Sequence, residues 1–306
     1  MFTSSLKAGI SAARRRPGLA LLVYGADLAL AAVLSVPLYH ALGSAVGRTG
    51  HGPDLARGFD LVLWADVMEQ VRVVFGALGA QLFWMLPLYL GWKAAAAVGL
   101  VHALRGSGTR SFWQGVGRYG ASGLLLALAF ALPVALLLPG AAVASALVEA
   151  LWGGEVARVW FHFVLLPLGG AAVLALLDLM HDYARIALVA GEERVRAAIR
   201  TGLAWPFRRP AAIALYAAWL VPAALLVAAP TLMDAAATAG TGASIWLLFL
   251  LQQACLVLRA AATVGWLGSE VAFYETVCDR ERPLIADASL TDAPLLASGD
   301  YLAGTP

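Results

Sequence analysis

Charge is scarce in this chain. Only 13% of its 306 residues are Asp, Glu, Lys or Arg, about half the share that soluble domains carry. So thin a supply cannot dress a water-facing surface, which excludes an ordinary soluble domain. Lysine is nearly missing, 2 residues against 19 arginines, and the net charge of +2 is too small to draw nucleic acid to the chain. Two cysteines, Cys255 and Cys278, are too few for a disulfide framework. The five histidines are scattered, with no helical His-Glu-x-x-His pair, no Walker loop and no dinucleotide glycine fingerprint. With no thiolate pairs beside them, neither a metal, a cofactor nor a catalytic residue is expected.

What the chain does have is apolar length. Hydrophobic residues make up 61% and the mean hydropathy is +0.79. Runs of about 20 apolar residues, enough to span a bilayer, fall at roughly 19–42, 74–104, 119–148, 161–189, 211–236 and 245–274. The fold class expected is therefore all-α, a polytopic transmembrane helix bundle of about six spans. Lys7, Arg14, Arg15 and Arg16 precede the first run, whose 24 residues from Leu19 to Leu42 are broken only by Asp27. That exceeds the 7–15 apolar residues of a cleaved signal peptide, so a retained signal anchor is expected.

The basic residues orient the spans. Fourteen lie on one side, in the N-terminal flank (Lys7, Arg14–Arg16), two loops (Arg105, Arg110, Arg118; Arg194, Arg196, Arg200, Arg208, Arg209) and the tail (Arg280, Arg282). The opposite side has four: Arg48, Arg57, Arg72 and Arg158. The positive-inside rule then puts both termini in the cytoplasm. Arg, Ala and Gly bias is typical of a GC-rich bacterial genome, so the expected location is a bacterial inner membrane. The expected parts are a basic cytoplasmic N-terminus (1–18), a six-helix transmembrane domain (19–275) and a polar cytoplasmic tail without fixed structure (276–306). The expected partners are the bilayer itself and anionic headgroups at the cytoplasmic arginine clusters.

Two amphipathic helices are expected outside the spans: Asp60 to Arg72, with Leu61, Trp64, Met68 and Val71 on one side, and Glu192 to Leu203, with Val195, Ile199 and Leu203 on one side. A weak internal repeat groups the spans in three pairs. Each odd span has a tyrosine near its start and a proline 13 or 14 residues on: Tyr24 with Pro37, Tyr119 with Pro133, Tyr216 with Pro230.

The ionisable residues inside these runs are the candidate site. Asp178, His181, Asp182 and Arg185 recur at i, i+3, i+4 and i+7 and share one helix face. An unpaired charge at the bilayer centre costs about 2.5–3.5 kcal/mol, so pairing is expected. At about 1.5 Å per residue, Asp27 and Arg259 come out roughly 13 Å above the inner edge. Lys93, Asp178 and Asp182 lie lower, and Arg185 and Glu270 are near enough to snorkel. The expected pairs are Asp27 with Arg259, and Lys93 with Asp178 or Asp182. Asp178, His181, Asp182, Arg185 and Lys93 are thus polar-site candidates, with His181 placed to relay protons between two acids. Asp27, Arg259 and Glu270 are structural ion-pair candidates. Gly120-Ala121-Ser122-Gly123 has the form used by rhomboid-type intramembrane proteases, but no histidine base lies on the fifth or sixth span. Small residues packing two helices explain it without chemistry.

Phe112-Trp-Gln-Gly-Val-Gly-Arg118-Tyr119, Asp182-Tyr183-Ala184-Arg185-Ile186 and Glu270-Val-Ala-Phe-Tyr274 form a pattern across roughly residues 70–275. It resembles a family of six-span bacterial membrane proteins, loosely similar to the membrane region fused to some glycerophosphodiester phosphodiesterases. The resemblance implies six helices and an Asp-Tyr-Ala-Arg element, and no established reaction. The soluble phosphodiesterase domain has no counterpart in this chain, so that activity does not carry over. The function expected first is a non-enzymatic scaffold or accessory subunit. The alternatives are a small transporter or channel with a cytoplasm-facing polar site, and an enzyme acting on lipid headgroups.

Overall fold

The computed structural model describes residues 1–49, 61–106, 108–151, 154–236 and 242–291. They form helices α1 (Phe2–Arg15), α2 (Pro17–Thr49), α3 (Leu61–Arg105), α4 (Gly108–Leu151), α5 (Glu155–Trp160), α6 (Leu166–Ala190), α7 (Val195–Arg208), α8 (Pro210–Ala236) and α9 (Gly242–Thr291). A π-helical turn, Phe161–Leu165, joins α5 to α6. There is no strand among the described residues.

Six segments are long and apolar enough to cross a membrane: Pro17–Pro37, Leu78–Arg105, Thr109–Leu151, Glu155–Ala190, Pro210–Met233 and Ile245–Glu281. Each overlaps one of the six expected runs. In hydrocarbon the backbone must satisfy its own hydrogen bonds, which is why such runs are helical. Prolines inside α2, α3, α4 and α8 each remove one such bond, and are tolerated in membrane helices because neighbouring helices, hydroxyl side chains and local backbone adjustment re-satisfy the freed carbonyl. Several segments are too long for the membrane alone. The 43 residues of Thr109–Leu151 reach about 65 Å, against a hydrocarbon core of about 30 Å.

Part of the excess, on α4 and α9, lies at one end, where α1, α7 and the connections after Arg105 and Ala190 gather; the extra length of α2 and α3 lies at the other. We call the end holding α1 and α7 the base. Nearly the whole buried core is there: Ala94–Ala103 on α3, Phe112–Phe130 on α4, Leu179–Val189 on α6, and Ala260–Val277 on α9 contribute most of it. Beyond it the helices present mainly exposed leucine, valine and aromatic side chains.

The even-numbered spans, α3, α6 and α9, touch one another and form a central triangle. The odd-numbered spans pack outside it: α2 against α9 and α3, α4 against α3 and α6, α8 against α9. The repeat tyrosines follow this order. Tyr24 donates to Gln253 Oε1 on α9 at 2.7 Å, the Tyr119 ring lies 6.0 Å from that of His102 on α3, and Tyr216 donates to Asp178 Oδ2 on α6 at 2.9 Å. Each odd span thus reaches the preceding even span through its tyrosine, in cyclic order.

Four segments add to or depart from the expectation. The basic N-terminus is a helix: α1 lies on α9 with Ser5 and Gly9 buried, and Arg16 Nη1 donates to Ala103 O. From Leu61 the expected amphipathic segment is continuous with α3; Asp60 and the side chains of Trp64, Met68 and Val71 lie outside the described residues. α9 runs on to Thr291, past the expected span end at 275, while 292–306 lie outside the described residues. The second amphipathic helix starts at Val195 and buries Ala198, Gly202 and Trp205 against α6, leaving Leu203 exposed.

Candidate functional site

The intramembrane charges mark a boundary. Exposed large apolar side chains stop at Leu90 on α3, Leu174 on α6 and Leu258 on α9. Lys93, Asp178 and Arg259 follow within four residues on those helices. Where a helix face meets lipid it is apolar, and where it meets headgroups and water it can carry charge. Lys93, Asp178 and Arg259 follow the last exposed large apolar side chains on α3, α6 and α9, whereas on α2 and α8 such side chains continue toward the base to Leu21 and Ile213; Asp182, Arg185 and Glu270 lie nearer the base.

Two groups of charges emerge. The first joins α6, α8 and α9. Asp182 and Arg185 form a buried i, i+3 ion pair on α6, with Arg185 Nη2 donating to Asp182 Oδ1. Glu270, wholly buried, accepts from Trp266 Nε1 at 3.0 Å through Oε1, and its charged neighbours are Asp182, Asp178 and Arg185. Tyr216 stands edge-on to Trp266, with ring centroids 4.7 Å apart, and ties Asp178 to α8. Tyr183, Trp205 and Tyr274 stack beneath, at centroid spacings of 5.5 and 4.7 Å. Glu270 Oε2, Tyr183 Oη, Trp205 Nε1 and His181 Nε2 are buried with no hydrogen-bond partner among the described residues.

Lower in the base, Arg105 links the three central spans. From α3 its Nε donates to Glu275 Oε1 on α9 at 2.7 Å, and its Nη1 donates to Val189 O on α6 at 3.2 Å. Sequence reasoning counted Arg105 only as a flanking charge. Its role rests on which spans are neighbours, and nothing local in the sequence carries that. Trp266 and Tyr216 were missed as members of the network for the same reason.

The second group sits between α2, α3 and α9. Lys93 Nζ pairs with Asp27 Oδ2 at 2.7 Å, both side chains partly exposed. This corrects both expected pairings. Lys93, expected lower than Asp27, stands about 18 Å above the end of α3, close to the roughly 15 Å of Asp27 above the start of α2. Asp178 faces α8 instead, and Asp182 is taken by Arg185. Arg259 lines the same cavity as Asp27 and Lys93, and its exposed guanidinium makes no ion pair with a described residue.

His181 stacks on Phe130 of α4, with ring centroids 4.9 Å and planes 19° apart. The ring is packing, and its Nε2 meets neither Asp178 nor Asp182. In the Gly120–Gly123 motif, a Cβ on Gly123 would meet Val98 Cγ1 at 2.9 Å and Ala94 O at 3.2 Å. The glycine lets α4 approach α3. Among the described residues no three His, Cys, Asp or Glu side chains are arranged to hold a metal ion.

Together the fold and this site define a class, a multi-pass α-helical membrane protein with a polar base. No protein-family model matches the chain, and neither a curated protein nor a solved structure matches it.

Proposed function

We propose that this protein is a non-enzymatic scaffold or accessory subunit of a bacterial inner membrane, its base in the cytoplasm. The observation that carries this reading is the way the base is tied. One arginine, Arg105, links all three central spans, and the conspicuous polar stripe is spent on contacts within the protein: Asp182 with Arg185 on α6 itself, Asp178 with Tyr216 on α8, and His181 against Phe130 on α4. A transport path would need its polar groups along a cavity. Three cavities, of about 480, 280 and 360 Å³, are lined by none of Asp178, His181, Asp182, Arg185 and Glu270; Lys93, the polar-site candidate that does line one, is paired there with Asp27. The basic residues support the orientation, because the fourteen expected inside cluster on and around the base.

The test combines access and flux. In a variant lacking Cys255 and Cys278, single cysteines at 182 and 270 should resist a small membrane-impermeant thiol reagent from both sides. Vesicles holding the native protein should leak protons, potassium and a small anionic dye no faster than empty vesicles. Labelling at either position, or flux above the empty vesicles, would overturn the scaffold reading in favour of a conducting site.

A further inference from the structure

The cavity between α2, α3 and α9 has about 480 Å³, inside the range of roughly 300–1,000 Å³ usual for small-ligand sites. Its lining is divided along the helix axes. α2 runs away from the base, so Leu34 lies beyond Asp27 by about 10 Å. α3 and α9 run toward the base, so Leu82 and Leu86 lie farther from it than Lys93, and Leu256 farther than Arg259. The pocket is charged at its base-side end and apolar at its far end.

The charged end has two cations and one carboxylate. Lys93 and Asp27 neutralise each other at 2.7 Å, which leaves the charge of Arg259 uncompensated. A guanidinium presents a planar fork of donors that matches the paired oxygens of a phosphate or carboxylate. The height also fits. Arg259 follows Leu258, the last exposed large apolar side chain on α9 toward the base, so the guanidinium stands at the end of that helix's apolar face, where a lipid headgroup would come to lie.

We propose that this cavity binds one anionic amphiphile from the bilayer, its phosphate or carboxylate on Arg259 and its acyl chain along Leu34, Leu82 and Leu86. Lys93 is held by Asp27 beside the headgroup and adds a second donor without adding net charge. Any groove facing lipid will hold some lipid, so the signature of a site is selection by headgroup charge through Arg259.

Native mass spectrometry of the protein released from nanodiscs can read this. The nanodiscs would hold dioleoylphosphatidylcholine with an equal part of dioleoylphosphatidylglycerol, or of palmitate in a second series. The native protein should retain the anionic species over phosphatidylcholine by about tenfold or more, the worth of one charge-assisted contact. Preference for phosphatidylglycerol assigns the head to a phosphate, and preference for palmitate assigns it to a carboxylate. Arg259→Gln should abolish the preference, while Arg118→Gln, at an exposed pair with Glu192, should keep it. Leu86→Trp, which fills the chain slot and leaves Arg259 in place, should lower retention of the anion, with an unchanged melting temperature as the check on folding. Equal retention of zwitterionic and anionic lipid by the native protein would overturn the proposal. So would undiminished selectivity in either Arg259→Gln or Leu86→Trp.

Discussion

At the scale of single residues, burial decides what each ion pair is worth. Arg118 and Glu192 are more than half exposed, and such pairs contribute about 0–1 kcal/mol. Asp182 and Arg185 keep only 10% and 16% of their side-chain surface, so removing one partner strands a buried charge at a cost of about 3–5 kcal/mol. Arg185→Leu should therefore lower the unfolding midpoint sharply in detergent, whereas Arg118→Leu should leave it almost unmoved. A similar loss in both would show that Asp182 finds another partner or reaches water. The Asp27–Lys93 pair lies between these limits, and a double-mutant cycle of Asp27→Asn with Lys93→Met should show coupling of about 1 kcal/mol. The cycle of Asp27→Asn with Arg259→Gln should be additive to about 0.5 kcal/mol. The reverse ranking would restore the pairing expected from depth alone. That depth reckoning failed for two reasons: it set Lys93 too low on its helix, and it carried no information on which way each helix faced.

At the scale of elements, two surface helices are seated by glycines. A Cβ on Gly202 would run into Met180 O and the Ala184 Cβ, and one on Gly9 would run into Gly265 O and Ser269. In both places the obstacle includes backbone, which cannot turn aside as a side-chain end can. Gly202→Leu should therefore lift α7 off α6 and lower stability by about 1–3 kcal/mol or more. Gly9→Leu should free α1 while the spans remain folded, because α1 lies outside the central triangle. Limited trypsin digestion should then cut faster at Arg14–Arg16, with the rest of the protein intact; an unchanged rate would mean that α1 is held elsewhere. The six spans were legible in the sequence because an apolar run of about 20 residues has few alternatives to a helix. The docking of α1 was not, since a short basic amphipathic stretch reads equally well as a solvated flank or a packed helix.

At the scale of the whole molecule, the arrangement of three even spans within three odd ones gives the tyrosines of the repeat a common place, each against the preceding even span in cyclic order. The polar stripe was legible as one helix face, but its partners on α8 and α9 were not, because Tyr216 and Glu270 are 38 and 92 positions from Asp178. The proposed orientation predicts a definite topology map. Green fluorescent protein fused after residue 306 should fluoresce, and alkaline phosphatase inserted near residue 55 should be active in the periplasm. An active phosphatase at the C-terminus, or a silent one near residue 55, would invert the molecule and place the base outside.

The central triangle also sets a timetable for synthesis. Arg105 and its partner Glu275 are separated by 170 residues, so at roughly 5–20 residues per second α3 waits about 10–30 s for the helix that completes its contacts. In the later half of that interval the nascent chain has Arg105, Asp182 and Arg185 in place with one corner of the triangle missing. A chain that stalls before Gly242 can insert most of its spans and still expose those charges, which marks it as unfinished to the cell's quality-control proteases.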